Sequence, residues 1–301
     1  MPIKVPKGLP AGTVLQTEGI TVMEGDSILR PRDRPLHVGL LNLMPNKIET
    51  EIQIARLLGA TPILVDLTLI KITSHSPKNT PVSHLTTFYR DWIDVMEQVF
   101  DGFIITGAPV ESIPFEQVAY WKELIEILNW TQTNARSCFN ICWAAQAALH
   151  HFHGLPKYAL TEKAFGIFRH HSLESTSPYL QGFSDDLCIP VSRWTEMRST
   201  DIPSSSGISV LIESPETGLC LLDDPKHHSL HIFNHIEYDS QTLADEYFRD
   251  RSIGRHTNLP KNYFPDDCET LRPKNCWRSH AHLLFGNWIS QIYKAGFNTL
   301  R

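Results

Sequence analysis

The chain has 301 residues, of which 42% are hydrophobic and 20% charged, which is enough apolar sequence for a sizeable globular core. A net charge of -6 gives no support for a nucleic-acid partner, and no apolar run approaches the roughly 20 residues of a membrane span. Six scattered cysteines without a CxxC pair argue against a disulfide framework or zinc site and favour a reducing cytoplasm. Residues 1–35 contain several prolines and no targeting pattern, so we expect an irregular leader segment there.

Strands and helices alternate through residues 36–150. Continuous apolar runs predict buried strands at 36–43, 61–70, 100–111 and up to 141. Amphipathic segments predict helices at 47–58, 90–99, 118–130 and from 143 onward. Residues 71–87 carry Ser, Thr, His, Asn and Pro, which predicts a long loop. This alternation indicates an α/β fold with a parallel sheet covered by helices on both faces.

The second half of the chain is less regular. Short strands are predicted at 187–191, 208–212, 219–222 and 230–234, and helices at 241–251 and 281–291. No internal repeat or composition break marks a further domain, so we expect one α/β domain over 36–301. In open sheets of this class the site lies at the carboxyl ends of the strands.

The segment FNICWAAQAAL, residues 139–149, places a cysteine between a strand and a helix. At such a junction, unpaired backbone N–H groups and the helix dipole favour the thiolate of Cys142. This is the pattern of a nucleophile elbow. Taken alone, these residues fit a buried, inert cysteine equally well. If the thiol is a nucleophile, the strand-end amides of Gly107, Ala108 and Trp143 are candidates for an oxyanion hole.

The segment HIFNHIEYD, residues 231–239, offers the base that such a thiol needs. His235 and Glu237 follow a predicted strand, and a carboxylate two residues away can fix the imidazole tautomer. By spacing alone, a solvated His and Glu in a loop is the commoner outcome. The other histidine groups, around 150–153 and 280–282, lack a third ligand at recognisable spacing, so we expect packing or surface roles there and no metal site.

Several segments in order give the chain a close resemblance to the homoserine O-acyltransferases of methionine biosynthesis, the trans-succinylase family, whose fold is that of class I glutamine amidotransferases. They are MPIKVP, LNLMPNKIETE, KNTP (78–81), FDGFIITGAPVE, the cysteine elbow, EYDSQTLADEYFRD, KNYFPDD and WRSHAHLLFGNW. The resemblance implies that Cys142 forms an acyl-enzyme with an acyl-CoA, with His235 as proton acceptor and Glu237 as its partner. It also implies small-molecule substrates, no permanently bound cofactor and a homodimer. Lys163, Ser192 and Arg249 fall at the amino-acid-binding positions of the family.

Glu111 matches the family position that selects the acyl donor. A small residue there goes with succinyl-CoA, whereas a glutamate goes with acetyl-CoA, because its carboxylate fills the space and repels a succinyl carboxylate. The resemblance therefore implies acetyl-CoA as co-substrate.

The resemblance implies L-homoserine, the usual substrate of the family, as the acceptor; the alternative is L-serine, which belongs to cysteine biosynthesis. Val191 and Trp194 depart from the family pattern around Ser192, and Ile236 replaces a proline. Larger apolar residues there favour a shorter acceptor, and one methylene changes apolar binding by only about 1–3 kcal/mol. Two other classes are a glutaminase-type hydrolase, which needs glutamine-binding residues, and an inactive binding protein, which the intact Cys142, His235 and Glu237 disfavour.

Overall fold

The computed structural model describes residues 2–25, 27, 34–75, 79–255 and 257–298. Its strands are β1 Pro2–Val5, β2 Thr21–Glu24, β3 Leu36–Leu41, β4 Val65–Lys71, β5 Tyr89–Asp91, β6 Phe100–Ile105, β7 Ala135–Ile141, β8 Tyr158–Ser172, β9 Leu187–Glu196, β10 Ser209–Ser214, β11 Gly218–Asp224 and β12 Ser229–Ile232. Its helices are α1 Pro10–Thr17, α2 Lys47–Gly59, α3 Val82–Phe88, α4 Trp121–Asn134, α5 Trp143–His153, α6 Thr242–Ser252 and α7 Arg278–Asn298. None of these helices has the length and apolar character needed to cross a membrane.

The strands form one sheet in the order β2-β1-β4-β3-β6-β7-β12-β11-β10-β8-β9, with β5 beside β4. Every pair from β2 to β12 in this order is parallel, and every pair from β12 to β9 is antiparallel. The predicted parallel sheet over residues 36–150 is therefore confirmed. The later strand β12 extends this parallel part of the sheet by pairing with β7.

Two large apolar clusters cover the two faces of the sheet. Successive residues of β6 divide between them: Ile104 packs with α2 and α7, whereas Phe103 and Ile105 pack with α4 and α5. This division follows from the alternation of side chains along a strand. Helices therefore lie on both faces, as the strand and helix alternation predicts.

The structure differs from the sequence predictions in three places before residue 100. Residues 2–5 and 21–24 of the expected irregular leader form parallel strands at the sheet edge, with α1 between them; residues 26 and 28–33 lie outside the described residues. The helix predicted at 90–99 is wrong. Instead, β5 pairs with β4, and the buried Tyr89 hydroxyl donates to Glu51 at 2.6 Å. The predicted loop at 71–87 contains the start of α3.

The pair β8 and β9 forms the far edge of the sheet; β8 was not predicted, and β9 was predicted only over residues 187–191. β8 runs from Tyr158 to Ser172 and pairs antiparallel with β9 through a register shift between Ala159 and Ala164. Gly166 has φ +138°, and a Cβ atom there would lie 2.3 Å from the carbonyl oxygen of Lys261. Only glycine permits this approach, which brings residues 261–264 against β8 behind the site.

Candidate active site

Three adjacent parallel strands, β6, β7 and β12, end at the same edge of the sheet. β6 is followed by Thr106 and Gly107, β7 by Cys142, and β12 by the segment that carries His235. Their order in the sheet brings together segments that lie more than ninety residues apart in the chain. The predicted nucleophile, its predicted base and the predicted oxyanion amides therefore share one edge.

Cys142 occupies a tight turn between β7 and α5. Its φ of 53° and ψ of −116° are uncommon for a residue with a side chain, and its N–H donates to the Ile232 carbonyl at 2.7 Å. Gly107 lies against this turn, since a Cβ atom there would be 3.1 Å from the Cβ and 3.7 Å from the Sγ of Cys142. The strained backbone directs the thiol into the cleft as a nucleophile elbow does.

His235 is held on three sides. Its Nδ1 lies 2.7 Å from Glu237 Oε1, its backbone N–H donates to the Pro190 carbonyl at 2.9 Å, and its ring stacks on Tyr238 at 4.2 Å. Burial opposes the imidazolium, but the charges of Cys142 and Glu237 and hydrogen bonds to both outweigh it and raise the pKa of His235 well above its usual value. The predicted thiol, imidazole and carboxylate thus form one interacting series.

A cleft of about 520 Å³ opens above these groups. It is lined by Met44, Pro45, Gly107, Ala108, Pro109, Glu111, Ser112, Cys142, Lys163, Ser192, Trp194, His235, Tyr238, Glu246, Arg249, Asp250 and Arg255. Of the predicted site residues, only Glu237 and Trp143 are not among these: Glu237 lies behind His235, and the Trp143 side chain is buried in the core. Residues predicted from distant parts of the sequence therefore meet in a single cleft.

The amides predicted for the oxyanion hole are available for a ligand. Within the described part of the chain, no protein acceptor takes the backbone N–H of Gly107, Ala108 or Trp143. Trp143 N–H starts helix α5, where the helix dipole adds positive potential. This arrangement suits a negative oxygen that forms beside Cys142 Sγ.

Glu111 connects the loop after β6 to strand β9. Its Oε2 accepts from the Trp194 backbone N–H at 2.9 Å and lies 3.2 Å from the Thr195 hydroxyl. The Thr195 hydroxyl also lies 3.0 Å from Gln146 Oε1 on helix α5. Burial raises the pKa of Glu111, although these hydrogen bonds oppose the increase. The carboxylate is thus fixed in the wall of the cleft.

Charged groups of both signs line the end of the cleft around α6. Glu246 Oε1 accepts from Lys163 Nζ at 2.7 Å and from the Ser192 hydroxyl at 2.7 Å. Asp250 Oδ1 accepts from Arg249 at 2.9 Å, and Lys163 Nζ lies 3.3 Å from Asp250 Oδ2. The Arg249 side chain is 57% exposed, so its guanidinium faces the open cleft. This end of the cleft therefore presents both cationic and anionic side chains.

Sequence reasoning did not identify Glu246, Asp250 and Tyr238 as site residues. Glu246 and Asp250 lie four residues apart in the segment EYDSQTLADEYFRD, so a helix places them on one face with Arg249 nearby. That helical spacing was the available signal. Tyr238 directly follows the His-x-Glu segment, but nothing in the sequence indicates that its ring stacks on His235.

The residues that depart from the family pattern near Ser192 do not all reach the cleft. Alternation along β9 turns Ser192 and Trp194 toward it, whereas Val191 is fully buried on the opposite face. Ile236 is also buried, in the apolar core that contains α2 and α7. Only Trp194 therefore alters the cleft wall, which weakens the argument from pocket size for a shorter acceptor.

Comparisons with known proteins agree with this geometry. A family model described as homoserine O-succinyltransferase matches residues 2–296. A homoserine O-acetyltransferase of Rhizorhabdus wittichii is 60% identical over 294 residues, which cover 98% of this chain and 92% of that protein. A homoserine O-acetyltransferase of Brucella canis is 59% identical over 295 residues, covering 98% and 96%. A solved glutamine amidotransferase of Thermotoga maritima shares the fold, with a TM-score of 0.56 at 11% identity over 86% of this chain and 98% of that one.

Proposed function

The chain belongs to the homoserine O-succinyltransferase family, and on that premise we propose that it is a homoserine O-acetyltransferase, which moves an acetyl group from acetyl-CoA to the side-chain hydroxyl of L-homoserine. The observation that carries the proposal is the cleft in which Cys142 and His235 face a pocket with charges of both signs, with the Glu111 carboxylate in its wall. The names of the relatives at 59% and 60% identity support the same donor and acceptor.

In the first half of the reaction, Cys142 Sγ attacks the thioester carbonyl carbon of acetyl-CoA. The carbonyl oxygen becomes negative and accepts hydrogen bonds from the amides near Gly107 and Trp143. The bond to the CoA sulfur then breaks, and the CoA thiolate takes a proton from the His235 imidazolium. One thioester replaces another, so this step is nearly thermoneutral and leaves an acetyl-Cys142 enzyme.

In the second half, the homoserine hydroxyl attacks the acetyl carbon while His235 Nε2 takes the hydroxyl proton. The new ester bond forms and the bond to Cys142 Sγ breaks, which restores the thiolate beside the imidazolium. Glu237 holds Nδ1 at 2.7 Å, which keeps Nε2 directed at the reacting atoms and stabilises the positive ring. The alcohol is a poor nucleophile unaided, so this proton transfer is the essential contribution of His235.

The acceptor is held through its amino-acid head. Arg249 suits the carboxylate because its guanidinium offers parallel donors. Glu246 suits the ammonium because its carboxylate lines the cleft, where hydrogen bonds from Lys163 and Ser192 to Oε1 hold it in place. An acetylated homoserine is the product expected of a methionine-biosynthesis enzyme. Cytoplasmic location and a homodimer stay predictions; the six free cysteines are compatible with the former.

The direct test is a comparison of four substrate pairs with the full chain: acetyl-CoA or succinyl-CoA as donor, and L-homoserine or L-serine as acceptor. Release of free CoA thiol and the mass of the ester product are measured together. We expect acetyl-CoA with homoserine to have the highest kcat/KM. A kcat/KM for serine tenfold or more above that for homoserine would show that serine is the acceptor. Glutamine hydrolysis without acyl transfer would overturn the proposed reaction class.

A further inference from the structure

Three side chains meet at the end of the sheet opposite the catalytic cleft. His153 Nε2 lies 2.6 Å and His227 Nδ1 lies 2.8 Å from the same oxygen, Asp224 Oδ2, and the three atoms lie within 4.8 Å of one another. His153 ends α5, Asp224 ends β11, and His227 lies in the turn that leads to β12. We expected a packing or surface role for His153 because no third ligand stood nearby in the sequence. The fold supplies Asp224 from 71 residues away.

The cluster is buried and contains polar atoms without partners. The side chains of Asp224, His153 and His227 are 0%, 5% and 13% exposed. Among the described residues, no group hydrogen-bonds the buried Asp224 Oδ1 or the buried His231 Nε2, and the latter lies 4.0 Å from Asp224 Oδ2. Buried polar atoms left unpaired are costly, so a group that binds both is expected at this position.

We propose that His153, Asp224 and His227 form a zinc-binding site, with the buried His231 beside it. Two imidazole nitrogens and one carboxylate oxygen are a donor set that Zn²⁺ accepts in tetrahedral sites. Zinc bonds of about 2.0–2.2 Å place ligand atoms about 3.3 Å apart, so the Asp224 oxygen would move away from each imidazole by on the order of half an ångström.

The surroundings favour a cation. His153 lies in the last turn of α5, where the helix dipole is negative. The Phe152 ring stacks on His227 at 4.2 Å and limits access of water to one side of the cluster. The competing arrangement is a metal-free network in which Asp224 accepts one hydrogen bond from each imidazole.

Zinc at this position acts on the fold and not on the acyl transfer. Helix α5 has 11 residues, so the cluster lies about 16 Å from Cys142 at the other end of the helix. The ion would join the end of α5 to the turn before β12. Cys142 lies at the start of α5, and β12 leads to His235. Binding would therefore stabilise the folded chain by linkage, without entering the reaction.

The experiment uses the full chain without a histidine tag, treated with a chelator and titrated with Zn²⁺ by calorimetry. Substitution of Co²⁺ reports tetrahedral coordination by visible absorption. The test variants are His227→Gln, which alters the most exposed ligand, and Asp224→Asn. The matched control is His151→Gln, because His151 is a neighbouring histidine that hydrogen-bonds Asn129 at 2.8 Å.

We expect the unaltered chain and His151→Gln to bind one Zn²⁺ and to melt at a higher temperature with it. His227→Gln is expected to bind at least about tenfold more weakly and to lose most of the increase in Tm. If Asp224→Asn fails to fold, His227→Gln still decides the outcome. No binding by the unaltered chain, or equal binding by His227→Gln, would overturn the site and leave the metal-free network. Acetyl transfer by the metal-free chain is not the readout, so the proposed function is tested separately.

Discussion

Glu111 Oε2 accepts a hydrogen bond from the Trp194 backbone N–H at 2.9 Å, which ties the loop after β6 to strand β9 across the cleft. The same loop supplies Gly107 beside Cys142, and the same strand supplies Ser192 beside Glu246. The contact therefore lies between the part of the cleft that faces the nucleophile and the part that faces the amino acid. We expect the Glu111 carboxylate to select the acyl donor.

Replacement of Glu111 by glycine is expected to raise the succinyl-CoA to acetyl-CoA ratio of kcat/KM at least about tenfold, or about 1.4 kcal/mol. The change removes both a charge and a side-chain volume. Glu111→Gln separates the two, because it keeps the volume and removes the charge. An unchanged ratio in Glu111→Gly would show that this residue does not select the donor.

Donor preference is expected to depend on pH through the same residue. Burial raises the pKa of Glu111, so it takes up a proton at a higher pH than an ordinary glutamate as the pH falls. Neutral Glu111 no longer repels a succinyl carboxylate, and the succinyl-CoA to acetyl-CoA ratio should rise toward acidic pH. The variant Glu111→Gln is the control for protonation of succinyl-CoA itself, because it has no carboxyl group at this position. Its succinyl-CoA to acetyl-CoA ratio should change less over the same pH range. A parallel rise in both proteins would contradict this role.

Loss of the Glu237 charge is expected to reduce kcat by about 10²–10⁴, because His235 then lacks the group that orients its ring. Glu237→Gln should also lower the pKa of His235, since the Glu237 charge is one of the causes that raise it. The pH at which the imidazolium loses its proton, measured in the kcat/KM profile for acetyl-CoA, should therefore move down. A fall in kcat with an unmoved profile would indicate a purely structural role.

Glu246→Gln is expected to raise KM for homoserine about tenfold or more with little change in KM for acetyl-CoA, because it removes the charge proposed to bind the ammonium. Asp245→Asn is the matched control, since Asp245 lies on the same helix and does not line the cleft. Equal effects of the two substitutions would point to damage to α6 instead of a lost ligand contact.

Local patterns predicted the parts of the site that are continuous in the chain. The elbow at Cys142 and the pair His235 and Glu237 each follow a strand, and sheet order alone brings them together. The sequence did not indicate the long strand β8, because residues 158–164 alternate poorly and a register shift interrupts their pairing. It also favoured a helix at 90–99, where pairing of β5 with β4 overrides local preference.

The covalent intermediate at Cys142 is the central claim, and mass spectrometry tests it most directly. The full chain is mixed with acetyl-CoA in the absence of an acceptor, and the masses of the intact protein and of its proteolytic peptides are measured. We predict an added mass of about 42 Da on the peptide that contains Cys142, absent from Cys142→Ala and removed when L-homoserine is added. Acetyl transfer at full rate without any adduct on Cys142, or an adduct that homoserine does not discharge, would contradict the account.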